Sequence, residues 1–225
     1  MEQTWVSRVQ ACCRCPRLVE WRRAVAGTKA AFSADRYWSK PVCGFGDPNA
    51  RLLIVGLAPG AHGANRTGRP FTGDAAGEWL YRILYEMGMA NRPQAVSADD
   101  GLLLQDVFIT NVVRCVPPEN RPNKTELEMC RSWLEDELRQ LKRLQVILAL
   151  GKDSFDSVKA LYRQQGANVK GMAFAHGAAY PLGEGRPVLM SSYHPSRRNT
   201  NTGLLTWEMW KEVFDTIRIR YLKYS

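Results

Sequence analysis

Six cysteines are the residues of this sequence with the most specific chemistry. In chain order they are Cys12, Cys13, Cys15, Cys43, Cys115 and Cys130. Cys12 and Cys15 form a CxxC pair near the start, and Cys115 and Cys130 lie far downstream. Thiolates of this kind bind zinc or iron-sulfur clusters. A disulfide framework is not expected, because 225 residues suffice to bury a core without covalent links. We therefore predict a bound metal ion or cluster.

A glycine-rich segment, Gly56 to Asp74, is the second candidate site. It has five glycines in nineteen residues, so a ligand or another backbone is expected to approach it closely. It lacks the Lys-Ser/Thr ending of a P-loop and the GxGxxG spacing of a dinucleotide fold, so neither nucleotide-binding motif fits. The alternative is a long structural loop.

A third candidate is the segment that begins at His194 and reads HPSRRNT. A histidine followed by two arginines and small polar residues could contact both a reacting group and a phosphate backbone. The alternative is a histidine that caps a turn. The formal charge of +9 and the pI near 9.4 favour a polyanionic partner, most commonly nucleic acid. Charge alone is also compatible with a merely solubilising surface.

Short apolar runs alternate with helical patterns along the chain. The runs, which read as buried strands, are Leu52 to Val55, Val107 to Val113, Val146 to Leu150 and Val188 to Met190. Helices are predicted after Pro16, over Ala75 to Met87, over Lys124 to Leu144, after Lys152 and over Leu204 to Leu222. This alternation predicts a parallel sheet with helices on both faces, a three-layer α/β/α sandwich.

The expected sheet brings the candidate segments together. In open parallel sheets, ligands bind outside the carboxyl ends of the strands, here the loops after Val55, Thr110, Leu150 and Ser192. We expect residues 1–225 to form a single domain with an N-terminal cluster-binding segment. No stretch reaches the roughly 20 apolar residues of a membrane helix, so we expect a cytoplasmic protein.

Three motifs resemble those of the family 5 (type B) uracil-DNA glycosylases. They are GLAPGAHGANRTGRPFTGDAAG from Gly56, ITNVVRC from Ile109, and HPS at His194. The resemblance implies an α/β/α fold with a four-stranded parallel sheet and a [4Fe-4S] cluster. The implied cluster ligands are Cys12, Cys15, Cys115 and Cys130. Cys13 and Cys43 are left over, and zinc in the same four-thiolate site is the competing metal.

The resemblance also implies a monofunctional glycosylase that initiates base excision repair. Its substrates would be uracil, hypoxanthine and xanthine in double-stranded DNA, each flipped out of the helix before the N-glycosidic bond is hydrolysed. Breaking that bond leaves positive charge on the sugar and negative charge on the base. Asp74 is the expected catalytic group near the sugar, and His194 the expected donor to the base; Asp74 could also cap the next helix.

Further site residues follow from the same resemblance. Those expected to bind the substrate are Gly56, Ala58, Gly60, Phe71 and Asn111. Those expected to contact DNA are Arg197, Arg198, Asn199 and Thr200. Phe71 would stack on the base, unless it is an ordinary core residue, and Asn111 could instead make a structural hydrogen bond. The related type A enzymes have an acidic residue where this chain has Ala58, which predicts a less discriminating pocket.

The main alternative hypothesis is a DNA-binding module without activity, stabilised by an iron-sulfur or zinc site. An electron-transfer protein is a weaker alternative, because it would leave the positive charge and the two loop motifs unexplained. The expected partner of the enzyme is a DNA duplex, and no association with a membrane is expected. We expect the protein to be a monomer that is associated with the nucleoid when it binds DNA.

Overall fold

The centre of the fold is a mostly parallel sheet, seen in a computed structural model that describes residues 3–222; residues 1–2 and 223–225, the ends of the expected domain, lie outside the described residues. The strands are β1 Phe45–Gly46, β2 Leu52–Gly56, β3 Val107–Asn111, β4 Val146–Leu150, β5 Ala179–Pro181 and β6 Val188–Ser192. Their order is β1-β3-β2-β4-β6-β5.

The prediction of four strands is wrong in number, because the sheet has six strands within residues 3–222. β2, β3, β4 and β6 are the four predicted strands, and they are parallel to one another. β1 and β5 add one short antiparallel strand at each edge. Segments of two and three residues carry too little hydrophobic periodicity to be recognised in a sequence.

Helices cover both faces of the sheet. They are α1 Gln3–Gln10, α2 Pro16–Ala24, α3 Ala64–Thr67, α4 Ala75–Glu86, α5 Lys124–Gln140, α6 Lys152–Gln164, α7 Arg197–Asn201 and α8 Trp207–Arg220. α4 and α8 pack against one face, where Leu52 and Ile54 lie; α1, α2, α5 and α6 pack against the other, with Leu53 and Val55. The predicted α/β fold with three layers is thus confirmed.

Local capping explains where the long helices begin. The Asp74 side chain accepts a hydrogen bond from the backbone N–H of Gly77 at the start of α4. Asn123 and Glu126 form a reciprocal capping box at the start of α5. Thr206 caps α8, which therefore begins at Trp207 rather than at the predicted Leu204. Capping side chains satisfy backbone donors that the first turn leaves free.

None of the helices in residues 3–222 is long and apolar enough to cross a bilayer.

A buried ion pair ties the segment after β3 to α5. Arg114 and Glu137 are 2.5 Å apart, with side chains 2% and 0% exposed. Glu137 Oε2 pairs with Arg114 and also accepts from the hydroxyl of Thr110 at 2.7 Å. Glu137 Oε1 accepts from the backbone N–H of Gly44 at 3.1 Å. A buried pair of this kind is tolerated only when its remaining hydrogen-bonding groups are largely satisfied. The pair fixes the chain between Asn111, at the end of β3, and the two downstream cysteines.

Candidate active site

A pocket of about 360 Å³ lies at the carboxyl edge of the parallel strands. Its lining comes from the segment after β2, from the end of β3 and from the segment after β6, and consists of Leu57, Ala58, Pro59, Gly60, Phe71, Asp74, Ala76, Asn111, Asn120, His194 and Ser196. β2 lies between β3 and β4, so the chain reverses its direction across the sheet at β2. Such a reversal opens a crevice for ligands.

Asp74 combines the capping role with a position in the pocket. One carboxylate oxygen accepts from Gly77 N at 2.9 Å, which fixes the side chain at the N-terminus of α4. Burial raises the pKa of Asp74 above its usual value, although the backbone N–H groups of Gly77 and Ala76 and the charge of Arg197 oppose this. A carboxylate with a raised pKa is a stronger base than a free aspartate. The helix cap weighed as an alternative for Asp74 is formed, the same side chain lines the pocket, and its catalytic role stays a prediction.

Two glycines make room for the second oxygen of Asp74. A Cβ built on Gly63 would lie 2.3 Å from Asp74 Oδ2, and one built on Gly60 would lie 3.1 Å from it. Because the other oxygen is held by α4, the carboxylate could not easily move away. The glycine-rich segment therefore approaches an acidic side chain closely, in place of the phosphate that such segments often bind.

His194 faces the pocket with an uncharged ring. Burial lowers the pKa of His194 to about 4, so the imidazole is neutral near pH 7. Neither ring nitrogen has a hydrogen-bond partner within residues 3–222, which leaves one N–H free to donate. The backbone oxygen of His194 accepts from the Asn199 side chain at 2.8 Å. A fixed, neutral donor is suited to an oxygen on which negative charge develops.

Phe71 is both a core residue and a pocket residue. Its ring is stacked with that of His194, with centroids 5.9 Å apart and an interplanar angle of 29°. Its φ of 50° is in the left-handed region, which a bulky residue rarely adopts. A Cβ on Gly77 would come within 1.8 Å of the Phe71 carbonyl oxygen, so only glycine permits this close approach. Phe71 is thus a core residue whose ring also lines the pocket, and its stacking on a base stays a prediction.

Asn111 and Ala58 complete the lining of the pocket. Asn111 is buried at the end of β3, and its side-chain amide has no hydrogen-bond partner within residues 3–222. A Cβ on Gly56 would lie 2.5 Å from Asn111 Oδ1 and 2.7 Å from the Phe71 ring, so Gly56 lets these two side chains meet. The structural hydrogen bond weighed as an alternative for Asn111 is not formed within the described chain. Ala58 presents only a methyl group to the pocket.

The four predicted DNA-contacting residues divide into two pairs. Arg197 and Arg198 begin α7, are exposed, and have guanidinium groups without hydrogen-bond partners in residues 3–222. Asn199 donates to the His194 backbone, and the Thr200 hydroxyl donates to the Ser196 carbonyl at 3.2 Å. The arginines therefore face solvent beside the pocket, whereas Asn199 and Thr200 hold the loop in shape.

The four predicted cluster ligands lie in one region, between α1, α2 and α5. Burial raises the pKa of Cys115 to about 11 and that of Cys130 to about 12, and the neighbouring thiols act in the same direction on both. Those neighbours are Cys12 and Cys15 for Cys115, and Cys115 and Cys12 for Cys130. Within residues 3–222, no three His, Cys, Asp or Glu side chains converge as ligands of a single metal ion.

Backbone and side-chain donors surround these sulfurs. The Arg22 guanidinium, buried at 3% exposure, donates to Cys115 Sγ at 3.0 Å, and Arg114 N donates to Cys130 Sγ at 3.3 Å. Cys13 is exposed, and its thiol donates to the nearby Ala11 carbonyl at 3.5 Å. Cys43 is half-buried, and its Sγ lies 3.9 Å from the Val6 carbonyl oxygen.

Asn120 is a pocket residue that the sequence did not single out. It belongs to the proline-rich loop between Cys115 and Cys130, where Glu119 and Asn120 both have positive φ values, 53° and 57°. Asparagine adopts this conformation more readily than most residues, and this preference is the one local feature of the sequence that could have indicated the turn at Asn120. Its proximity to Asp74 and His194 depends on the path of a loop more than 40 positions from either, which no local pattern encodes.

A larger groove, about 770 Å³, runs between α5 and α6. It shares only Leu57 with the pocket, and its lining mixes Arg121, Arg131 and Arg163 with Asp153 and Asp156. It holds neither Asp74 nor His194, so its size does not make it the active site.

Comparisons with known proteins agree with this geometry. The family model described as the uracil DNA glycosylase superfamily matches residues 43–218. A type-5 uracil-DNA glycosylase of Thermus thermophilus is 50% identical over 211 residues, covering 94% of each chain. A type-5 enzyme of Pyrobaculum aerophilum is 44% identical and covers 93% of this chain and 88% of its own. A type-4 enzyme of the same organism is 36% identical, over 72% of this chain and 74% of its own. The chain belongs to the uracil DNA glycosylase superfamily, within its type-5 group.

Proposed function

We propose that this uracil-DNA glycosylase excises hypoxanthine and xanthine as well as uracil, that it acts on double-stranded DNA, and that it leaves an abasic site without cutting the strand. Excision of uracil from DNA, by hydrolysis of the N-glycosidic bond, is the activity of its superfamily. The observation that carries the proposal is the pocket itself, in which Asp74 and His194 line a space of about 360 Å³.

The pocket lining supports a broad range of bases. Its volume is at the small end of ligand sites, which span about 300 to 1,000 Å³, and so suits a single flipped base. Ala58 and Phe71 provide apolar surface, and Asn111 is an amide that can both donate and accept. Rejection of a wrong base depends on buried polar groups that it leaves unpaired. Ala58 and Phe71 add no such group, so several deaminated bases should be accepted.

Two side chains carry the proposed hydrolysis. Asp74 stabilises the developing sugar cation and accepts a proton from the attacking water, a role that its raised pKa favours. His194, neutral because burial lowers its pKa to about 4, donates to the base oxygen as negative charge builds there. No lysine lines the pocket within residues 3–222, which supports a mechanism without a Schiff base and hence without strand cleavage.

Single-turnover cleavage of labelled oligonucleotides tests this function. We expect abasic sites, revealed by alkali, from duplexes that carry uracil, hypoxanthine or xanthine, and no strand breaks before alkali is added. Each lesion is compared in duplex and single-stranded form. Excision of uracil alone would contradict the broad range, and strand cleavage without alkali would contradict the monofunctional mechanism.

A [4Fe-4S] cluster held by Cys12, Cys15, Cys115 and Cys130 is the second part of the proposal. The donor set fits, because four thiols from two distant parts of the chain interact electrostatically and two N–H donors point at their sulfurs. In a cubane each thiolate binds a different iron, so the sulfurs need not converge on one point as they do around zinc. The cluster would supply a structural link between α1, α2 and the loop that carries Asn120.

Arg197 and Arg198 are the proposed contacts to the DNA backbone. If about four phosphates are contacted in all, the logarithm of affinity should fall with the logarithm of salt concentration at a slope of about −3.6. Arg198→Ala should weaken binding to all sequences alike and reduce the slope by about 0.9. Arg220→Ala, at an exposed position near the end of α8, is the control and should leave both unchanged. An effect limited to one lesion would argue against a backbone contact.

A further inference from the structure

A single imidazole, that of His176, contacts Tyr193, the first residue after β6, and Met209, in the first turn of α8. The backbone N–H of Tyr193 donates to His176 Nδ1 at 3.2 Å, and His176 Nε2 lies 3.3 Å from the Met209 carbonyl oxygen. Residues 193–209 carry both His194 and the two exposed arginines. His176 lies outside the pocket lining, and its Nδ1 also lies 3.2 Å from the hydroxyl of Ser192, the last residue of β6, so any effect on the reaction is indirect.

The contacts of His176 define its protonation state. A backbone N–H can only donate, so Nδ1 must present a lone pair to Tyr193. The carbonyl of Met209 can only accept, so Nε2 must carry the proton. Both contacts thus require the same neutral tautomer. The ring also stacks on Tyr193, with centroids 5.0 Å apart and an interplanar angle of 24°.

We propose that neutral His176 is a positioning residue, which holds the two ends of residues 193–209 and thereby aims His194 at the base and Arg197 and Arg198 at the DNA. The inference rests on the proposed role of His194. Protonation of Nδ1 would set an N–H against the N–H of Tyr193, one residue before His194. Tyr193 would then lose its hydrogen bond to His176, and His194, the next residue, would be less well aligned with the base.

The surroundings of His176 set the direction of its pH response. Burial lowers the pKa of His176, while the Met209 carbonyl and the carboxylate of Glu212 on α8 act to raise it. Tyr193, on the β6 side, stacks on the ring through its phenol. Because the neutral form is the competent one, its contribution is complete above about pH 6.5, the usual value, and is lost as the pH falls through the lowered pKa.

His176→Ala and His176→Gln test the proposal by single-turnover excision of uracil from pH 5 to 8, with duplex affinity and thermal unfolding measured alongside. We expect His176→Ala to slow excision about 10-fold at pH 7.5, since small misalignments of a reacting group are enough for such a loss. Glutamine can offer an oxygen to Tyr193 and an N–H to Met209 without titrating. His176→Gln should therefore restore the rate and lose part of the decline at acid pH.

A double-mutant cycle with His194→Ala separates this role from general stability. If His176 acts through His194, adding His176→Ala to His194→Ala should slow excision little further. Full additivity, or a wild-type rate and affinity for His176→Ala, would overturn the positioning role. So would an unchanged acid decline in the folded His176→Gln variant. A wild-type rate for His194→Ala would instead refute the proposed role of His194, so the two failures are distinguishable.

Discussion

Asp74→Asn is expected to slow single-turnover excision of uracil by about 10²- to 10⁴-fold, the range for loss of a general base. The substitution removes the charge that stabilises the sugar cation and the group that accepts a proton. It should leave the helix intact, because Asn caps an N-terminus as well as Asp does and can still accept from Gly77 N. The melting temperature is therefore the internal control.

Neighbouring glycines provide a second way to test the same carboxylate. Gly63→Ala places a methyl group where Asp74 Oδ2 now lies, at 2.3 Å, whereas Gly60→Ala makes a milder contact at 3.1 Å. Excision should be slowed strongly by the first change and weakly by the second, with DNA affinity preserved in both. If Asp74→Asn binds duplex and excises uracil at the wild-type rate, Asp74 is only a helix cap and another group activates the water.

The acid side of the pH profile should also reveal Asp74. The carboxyl group has a pKa raised by burial, and only its ionised form can stabilise the cation or accept a proton. The rate should therefore fall as the pH is lowered through that raised pKa. In His176→Gln, the remaining decline at acid pH should belong to this carboxylate.

Cys130→Ser is expected to abolish the bound cluster and to destabilise the folded chain. Cys130 is buried in the core shared by α1, α5 and the sheet, and its sulfur accepts from Arg114 N. Metal-ligand bonds form fully only in the folded state, so their free energy contributes directly to folding. We expect iron and acid-labile sulfide to fall from about four each per chain, as in a [4Fe-4S] cluster, to near zero, with a large drop in melting temperature.

The exposed Cys13 gives the matched control. Cys13→Ser, one residue from Cys12, should retain iron, visible absorbance and melting temperature, because Cys13 is exposed and its thiol donates to the Ala11 carbonyl. A Cys130→Ser variant with full iron content would show that the ligand set is wrong. Zinc in place of iron in the wild-type protein would show that the site is a four-thiolate zinc site.

Loss of the cluster should also impair catalysis. Asn120, which lines the pocket, belongs to the loop between Cys115 and Cys130, so the proposed cluster would hold both ends of that loop. The buried Arg114 and Glu137 pair connects the same loop to β3, which ends at Asn111. A folded remnant of Cys130→Ser should therefore excise uracil more slowly even where it still binds DNA.

The sequence alone determined most of the strands and helices, because their patterns lie within single elements. The four parallel strands were predicted because apolar residues fill both faces of a buried strand, and α4, α5 and α6 because their apolar residues recur at helical spacing. The two motifs after β2 and β6 were expected to meet because parallel strands end at one edge of a sheet. The position of Asp74 before Ala75 and Ala76 indicated that it could cap the helix that follows.

Tertiary structure alone decided the contacts made across long stretches of chain. The edge strands β1 and β5 are too short to have a pattern of their own and exist because neighbours offer them hydrogen bonds. The entry of Asn120 into the pocket, the fit of Gly63 against Asp74, and the bridging of Tyr193 and Met209 by His176 have the same origin. Periodicity and capping report energies that arise between near neighbours in the chain, whereas these contacts depend on packing between elements, which a single sequence does not display.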